Sequence, residues 1–171
     1  LFILFGSFLE ISGGAQAFND IGFALGGRLR GGPAQVAVIS SAMMGSISGS
    51  AVANVMTTGV FTIPLMKKLG YKPEFAGGVE AAASTGGVIT PPIMGAVAFM
   101  MASTLGVSYT TIAAAAILPS ILYYLGIGFS VDLEAAKLNL RGIPKEDLPN
   151  LKDVFLKKGI FLLPVLVIAV M

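Results

Sequence analysis

The side chains able to do chemistry fall in two short glycine-rich stretches and at one isolated acid. Gly45–Ser50 reads "GSISGS", with Asn54 one helical turn beyond it, and Ser84–Pro92 reads "STGGVITPP". Ser46, Ser48, Ser50, Asn54, Ser84 and Thr85 carry side-chain oxygens, while Gly45, Gly86 and Gly87 allow close approach to the backbone. Hydroxyls and carbonyls suit a hard cation, and these nine positions form the candidate cation site, with Na+ as a possible occupant. Helices restarting near Ser50 and Pro92 would offer free N–H groups to an anion such as a carboxylate. Ser48, Gly49, Ser50, Asn54, Thr90 and Pro91 are therefore the candidate substrate-binding residues. Glu80, the isolated acid, is a candidate carrier of a coupling proton.

Other chemistries are excluded within this sequence. It has no Cys and no His, which removes disulfides, thiolate nucleophiles, most zinc sites and Ser-His-Asp catalysis. A serine hydrolase built on Ser46 or Ser48 would need a lysine base, and Lys67, Lys68 and Lys72 lie in a separate basic cluster. No enzyme activity and no cofactor beyond a coupling Na+ or H+ is expected. The net charge of +2 is too small to suggest a nucleic-acid partner.

Positioning these residues takes a scaffold, and the composition says which kind. Only 12% of the 171 residues are charged and 55% are hydrophobic, against about 25% charged in a soluble domain. That leaves too little polar surface for water, so an all-α polytopic membrane protein is expected. The opening "LFILFGSFLE" and closing "FLLPVLVIAVM" are each too short to span a bilayer, which takes about 20 residues. The opening run also lacks the basic start of a signal peptide. An internal piece of a larger polytopic protein is the expectation.

Residues 1–32 are read as the end of a transmembrane helix followed by an arm helix lying in the interface. In that arm Phe18, Ile21, Leu25 and Leu29 recur at helical spacing, and Gly22 and Gly26 make a small-xxx-small pair. Residues 33–66 carry no charge. As one straight helix they would reach about 50 Å, too long for the bilayer. Two half-helices joined by the Gly/Ser tip fit, which makes 33–66 a re-entrant hairpin with half-helix ends near Met44 and Ser50. Residues 73–104 are read as a discontinuous transmembrane helix, starting at Pro73, broken over 86–92 and resuming near Pro92. Residues 109–131 are a transmembrane helix, 132–158 a cytoplasmic loop, and 159–171 the start of a further span.

This arrangement puts Arg28, Arg30, Lys67, Lys68, Lys72 and the basic residues from Lys137 onward on one side, which the positive-inside rule makes cytoplasmic. Irregular backbone at membrane depth costs several kcal/mol per unsatisfied group unless it is buried in protein or lines a cavity. Discontinuous helices meeting near the midplane build the coupled sites of secondary transporters. Two bland alternatives stay open. Ser41, Gly45 and Gly49 have the spacing of a helix-packing motif, and Gly86 through Pro92 could mark only a kink. Glu80 lies about 10 Å along its half-helix at 1.5 Å per residue; a coupling role and an interfacial pairing with Lys72 or a neighbouring helix are both open.

"LRGGPAQVAVISSAMMGSISGSAVANVMTTGVFTIPLMKKLGYKPEFAGGVEAAASTGGVITPPIMGAVAFMMA" resembles the large membrane subunit of tripartite ATP-independent periplasmic (TRAP) transporters, and is most similar to the TAXI-type fused permeases. The Gly/Ser hexapeptide, "IPLMKKLGY", "FAGGVEAAASTGG" and the double proline, in this order, carry the resemblance. It implies a prokaryotic inner-membrane permease built of two inverted repeats, this chain holding the first repeat and the start of the second, with transport by an elevator motion. It implies a periplasmic substrate-binding protein and a small four-helix membrane subunit, fused in the TAXI type, as partners, with membrane lipid around them. Organic anions are the implied substrates and Na+ or H+ the coupling ion. Carried over, Ser46, Ser48, Ser50 and Asn54, with Ser84, Thr85, Gly86 and Gly87, would line the first cation site and one wall of the substrate site. Glu80 stands where many TRAP large subunits have an apolar residue. An ion channel using the re-entrant hairpin as a filter is the alternative.

Overall fold

The computed structural model describes residues 13–143. Six α-helices follow in order: α1 Ala15–Gly26, α2 Gly32–Ser48, α3 Ala51–Lys68, α4 Pro73–Gly86, α5 Ala96–Leu105 and α6 Tyr109–Lys137, with a 3₁₀ turn Gly87–Ile89 after α4. The described residues contain no strand. The end of a transmembrane helix expected over the first residues, most of the expected loop 132–158 and the helix expected from 159 lie outside the described residues.

Helices α2 and α3 form an antiparallel hairpin joined by only Gly49 and Ser50. The break is narrower than the stretch 45–50, because α2 runs on to Ser48 rather than ending near Met44. Gly49, not Gly45, takes the left-handed conformation that ends the helix (φ 60°), and its N–H bonds to Gly45 O. Ser50 then starts α3 as the sequence suggests, its Oγ accepting from Ala53 N at 3.3 Å.

The second interruption is longer. Helix α4 begins with Pro73 at its first turn, ends at Gly86, tightens into the 3₁₀ turn, and passes through Thr90 and a cis Pro91–Pro92 bond. The helix resumes only at Ala96, behind Gly95, so Pro91 and Pro92 lie in the connection and not in the first turn near Pro92. Helix α6 extends to Lys137 instead of stopping at residue 131. Its last turns carry Asp132, Glu134 and Lys137, which read as solvent loop in sequence, but Val131 and Ala135 on the same turns are fully buried in the core. Tertiary packing keeps those turns helical.

The core is built of small side chains. Ala34, Ala37, Ala76, Ala83 and Ala135 join Val38, Met66, Tyr71, Val79 and Val131 in one buried cluster between α2, α4 and α6. Small residues let helix backbones approach closely, the usual packing solution where lipid supplies no hydrophobic drive. The arm helix follows the same rule. A side chain at Gly22 would strike Ser40 of α2, and one at Gly26 would sit 2.8 Å from Ile39 Cδ1. Phe18 and Ile21 are buried against the hairpin, whereas Leu25 and Leu29 are about half exposed (48% and 49%).

The outer surface is apolar. Val52, Met56 and Val60 make an exposed stripe on α3, and Leu118, Leu122, Leu125 and Phe129 are exposed on α6. Among the described residues α6 is the one helix long and apolar enough to cross a membrane, about 43 Å at 1.5 Å per residue. Ser40, Ser41, Asn54, Thr58, Thr62, Glu80 and Ser84 are buried instead. Polar side chains buried behind exposed apolar faces are unusual for a soluble domain and suit lipid.

The α1–α2 and α3–α4 connections meet the end of α6. Tyr71, between α3 and α4, donates to Gly31 O at 3.3 Å, Ile143 N donates to Gly27 O at 2.8 Å, and Arg30 pairs loosely with Asp132 at 3.9 Å. Arg28, Arg30, Lys67, Lys68, Lys72, Lys137 and Arg141 all belong to these connections or to the helix ends that feed them.

Candidate functional site

Tip and second interruption meet backbone to backbone. A methyl at Gly45 would stand 2.5 Å from Gly87 Cα and 2.9 Å from Asn54 Nδ2, and one at Gly49 would strike Met94 O. Ile93 N donates to Ser46 O at 3.0 Å, tying the connection after Pro92 to the last turn of α2. Gly45, Gly49 and Gly87 are therefore required for close approach, since any side chain there would hold the two interruptions apart.

Much of the backbone released by the interruptions is already bonded. Tyr123 and Tyr124 of α6 donate to Ala82 O and Ala83 O of α4, each at 2.9 Å. Thr90 Oγ1 donates to Gly86 O at 2.7 Å, Thr90 N to Gly87 O at 3.2 Å, and Gly49 N to Gly45 O at 2.9 Å. The helix ends stabilise one another rather than standing bare. A carbonyl has a second lone pair, so bonding does not remove these oxygens as ligands.

Candidate side chains divide into those turned inward and those turned away. Asn54 is fully buried, and its Nδ2 donates to Ser41 O at 2.8 Å. Its Oδ1 is buried without a hydrogen-bond partner, a costly state unless something else supplies a positive or donor group. Ser46 is buried, with Oγ donating to Met43 O at 2.8 Å. Ser48 and Ser50 lie at the accessible tip, where Ser50 N approaches Ser48 Oγ at 3.4 Å. Ser84 is buried, but the adjacent Thr85 is exposed and back-bonds to Ala81 O at 2.7 Å; the pair does not face one site. Gly86 lies against the Tyr123 and Tyr124 rings. Thr90 lines an open cleft of about 710 Å³ between α2 and α6, which none of Ser48, Gly49, Ser50 and Asn54 lines. Pro91 is partly buried in the connection.

Glu80 is fully buried and is not paired with Lys72, which is exposed. Four hydroxyls surround the carboxyl group. Ser41 Oγ donates to Oε1 at 3.1 Å, Ser84 Oγ to Oε1 at 3.2 Å, Thr58 Oγ1 to Oε1 and Thr62 Oγ1 to Oε2 at 2.5 Å. Gly59 admits the carboxyl stem, since a methyl there would lie 3.1 Å from Glu80 Cγ. The sequence reading missed Thr58 and Thr62 and took Ser41 only as packing. The available signal was Asn54, Thr58 and Thr62 at i, i+4 and i+8, a polar stripe on one face of α3.

Exposed apolar faces on α3 and α6, with polar side chains and two interrupted elements packed between the helices, suit a helical integral membrane protein. It belongs to the family described as tripartite ATP-independent periplasmic transporter, DctM component, which matches residues 1–171. Members of this family are inner-membrane permeases that work with a periplasmic binding protein and a small membrane subunit. A putative TRAP transporter large permease protein of Haemophilus influenzae is 32% identical over 169 residues, covering 98% of this chain and 39% of the relative. The 2,3-diketo-L-gulonate TRAP transporter large permease protein of Escherichia coli is 27% identical over 154 residues, covering 90% of this chain and 35% of the relative. The C4-dicarboxylate TRAP transporter large permease protein of Vibrio cholerae is 38% identical over 78 residues, covering 46% of this chain and 17% of the relative. The chain thus spans less than two fifths of the length of these relatives.

Proposed function

We propose that the chain is the hairpin-bearing part of the permease of a TRAP-type secondary transporter, which imports an organic anion delivered by a periplasmic binding protein and is driven by a Na+ or H+ gradient. The observation that carries this reading is the contact of the two interruptions at Gly45 and Gly87, with the unpartnered Asn54 Oδ1 buried beside it. An oxygen left without a donor inside an apolar-faced protein is a natural ligand for a cation. The N-terminus of α3 begins at the accessible tip, one turn from Asn54, and its positive end suits a carboxylate. Relatives named for C4-dicarboxylates and for 2,3-diketo-L-gulonate point to the same substrate class.

In a bilayer the α2–α3 hairpin enters and returns on one side, α4 and α5 together form a broken span, and α6 crosses back. The basic end faces the cytoplasm. A small four-helix membrane subunit, fused to the permease as in the TAXI type, and a second repeat of the same fold complete the transporter, and the hairpin-bearing block moves in elevator fashion. Proteoliposomes holding the complete transporter test the reading. Uptake of labelled C4-dicarboxylates or sugar acids should saturate, require the binding protein and require a Na+ or pH gradient. Flux that neither saturates nor responds to the binding protein would refute it.

A further inference from the structure

We infer that the pocket between α1 and the last turns of α3 seats the headgroup of a phospholipid bearing a primary ammonium, of the phosphatidylethanolamine type. The pocket is open and holds about 490 Å³. Asn19, Asp20 and Phe23 line it from α1, at the spacing of a single helix face. Val60, Phe61 and Lys68 line it from α3. Along α3 the wall changes from polar to apolar. Lys68 is exposed at the helix end, and the exposed Val60 and Phe61 lie about two turns before it, roughly 10–12 Å away at 1.5 Å per residue. An amphiphile with its head toward Lys68 and its chains along Val60 and Phe61 matches that order.

Asn19 identifies the headgroup. The residue is only 8% exposed, and its Oδ1 has no hydrogen-bond partner, a costly state for a buried acceptor. Rotation about the last side-chain bond, which is soft in asparagine, presents Oδ1 to the pocket that the residue borders. A donor is then required, and a primary ammonium brings three. It can donate to Asn19 Oδ1 and to the Asp20 carboxylate, while the adjoining phosphate accepts from Lys68 Nζ. One acidic and one basic side chain across the same pocket match a zwitterion better than a net anion. A choline headgroup has the same charges but no N–H, and a glycerol headgroup has no cation for Asp20. An apolar helix laid over the pocket would bury Lys68 and Asp20 and still leave Asn19 Oδ1 without a donor.

The test uses the complete permease with its membrane subunits, purified in detergent, stripped of lipid and titrated with dioctanoyl phospholipids. The thermal unfolding midpoint is the readout, since a ligand of the folded state raises it. Dioctanoyl phosphatidylethanolamine should raise the midpoint saturably. The phosphatidylcholine and phosphatidylglycerol counterparts should bind about tenfold more weakly, the loss expected for one hydrogen bond to a charged group. Free O-phosphoethanolamine should also bind at least about tenfold more weakly, because it lacks the chains that lie along Val60 and Phe61. Asn19→Leu and Lys68→Gln should each weaken the phosphatidylethanolamine response about tenfold. Asn19→Leu should also hold or raise the lipid-free midpoint, because it removes an unpaired buried acceptor, whereas loss of a purely structural contact would lower it. Equal responses to the three lipids, or an undiminished response in both variants, would overturn the inference. So would no response at all, the outcome expected if another part of the transporter fills the pocket. Should Asn19→Leu fail to fold, Lys68→Gln and the lipid comparison on wild type decide. No readout here involves transport, so the permease reading stands or falls separately.

Discussion

At the scale of single residues, the site is made by what is missing as much as by what is present. Gly45 and Gly87 contribute no side chain, and that is why α2 and the end of α4 can touch. Gly45→Ala should destabilise the protein by about 1–3 kcal/mol, the usual effect of forcing a methyl into a filled contact. Gly77→Ala is the matched control, because nothing lies within 4 Å of a methyl there and alanine favours helix by about 0.5–1 kcal/mol. Unfolding midpoints in detergent should fall for the first variant and hold or rise for the second. The glycines and serines of both interruptions were legible as candidates because their types are unusual in an apolar run. Thr58 and Thr62 stood out less, since threonine in a membrane helix also occurs where it only back-bonds to its own backbone. Lys72 was a natural sequence partner for Glu80 at two turns' distance, but the actual partners come mainly from α2 and α3, through tertiary pairing that no local pattern encodes.

At the scale of elements, each interruption ends where local stereochemistry and a neighbour agree. Gly49 takes the positive φ, so the polar residues Ser46 and Ser48 stay helical although they resemble a loop in sequence. Helix α6 runs past its apolar stretch because Val131 and Ala135 pack under Tyr71 and Gly31. Burial and, less strongly, the carboxylates of Glu134 and Asp132 push the Tyr71 phenol up to about 12. Its side chain donates to Gly31 O, joining the α3–α4 and α1–α2 connections. The folded state thus holds the phenolic proton more tightly than the unfolded chain does. This contribution is complete below about pH 10, the ordinary tyrosine value, and is lost as pH rises toward 12. Tyr71→Phe should remove that alkaline loss and cost about 0.5–1.5 kcal/mol near neutral pH through the missing hydrogen bond. Denaturation followed from pH 8 to 12 checks both signs.

At the scale of the whole molecule, the basic residues sit at helix ends and their connections, and many large apolar side chains are exposed. The membrane class was legible from composition alone, because 12% charge cannot clothe a soluble protein of this size. The packing of one interruption on the other was not, since it depends on Ile93, Met94 and the α6 tyrosines, residues with no distinguishing local signal. If the basic end is cytoplasmic, Lys68→Cys in the complete permease should react with an impermeant maleimide only in inside-out vesicles. Ser108→Cys, in the uncharged connection before α6, should react only from the opposite face. The reverse pattern would invert the orientation. The tie between Ile93 and Ser46 has a mechanical consequence. Lifting the hairpin tip away from the chain after Pro92 would break a bond between main-chain atoms, which substitution of side chains leaves in place.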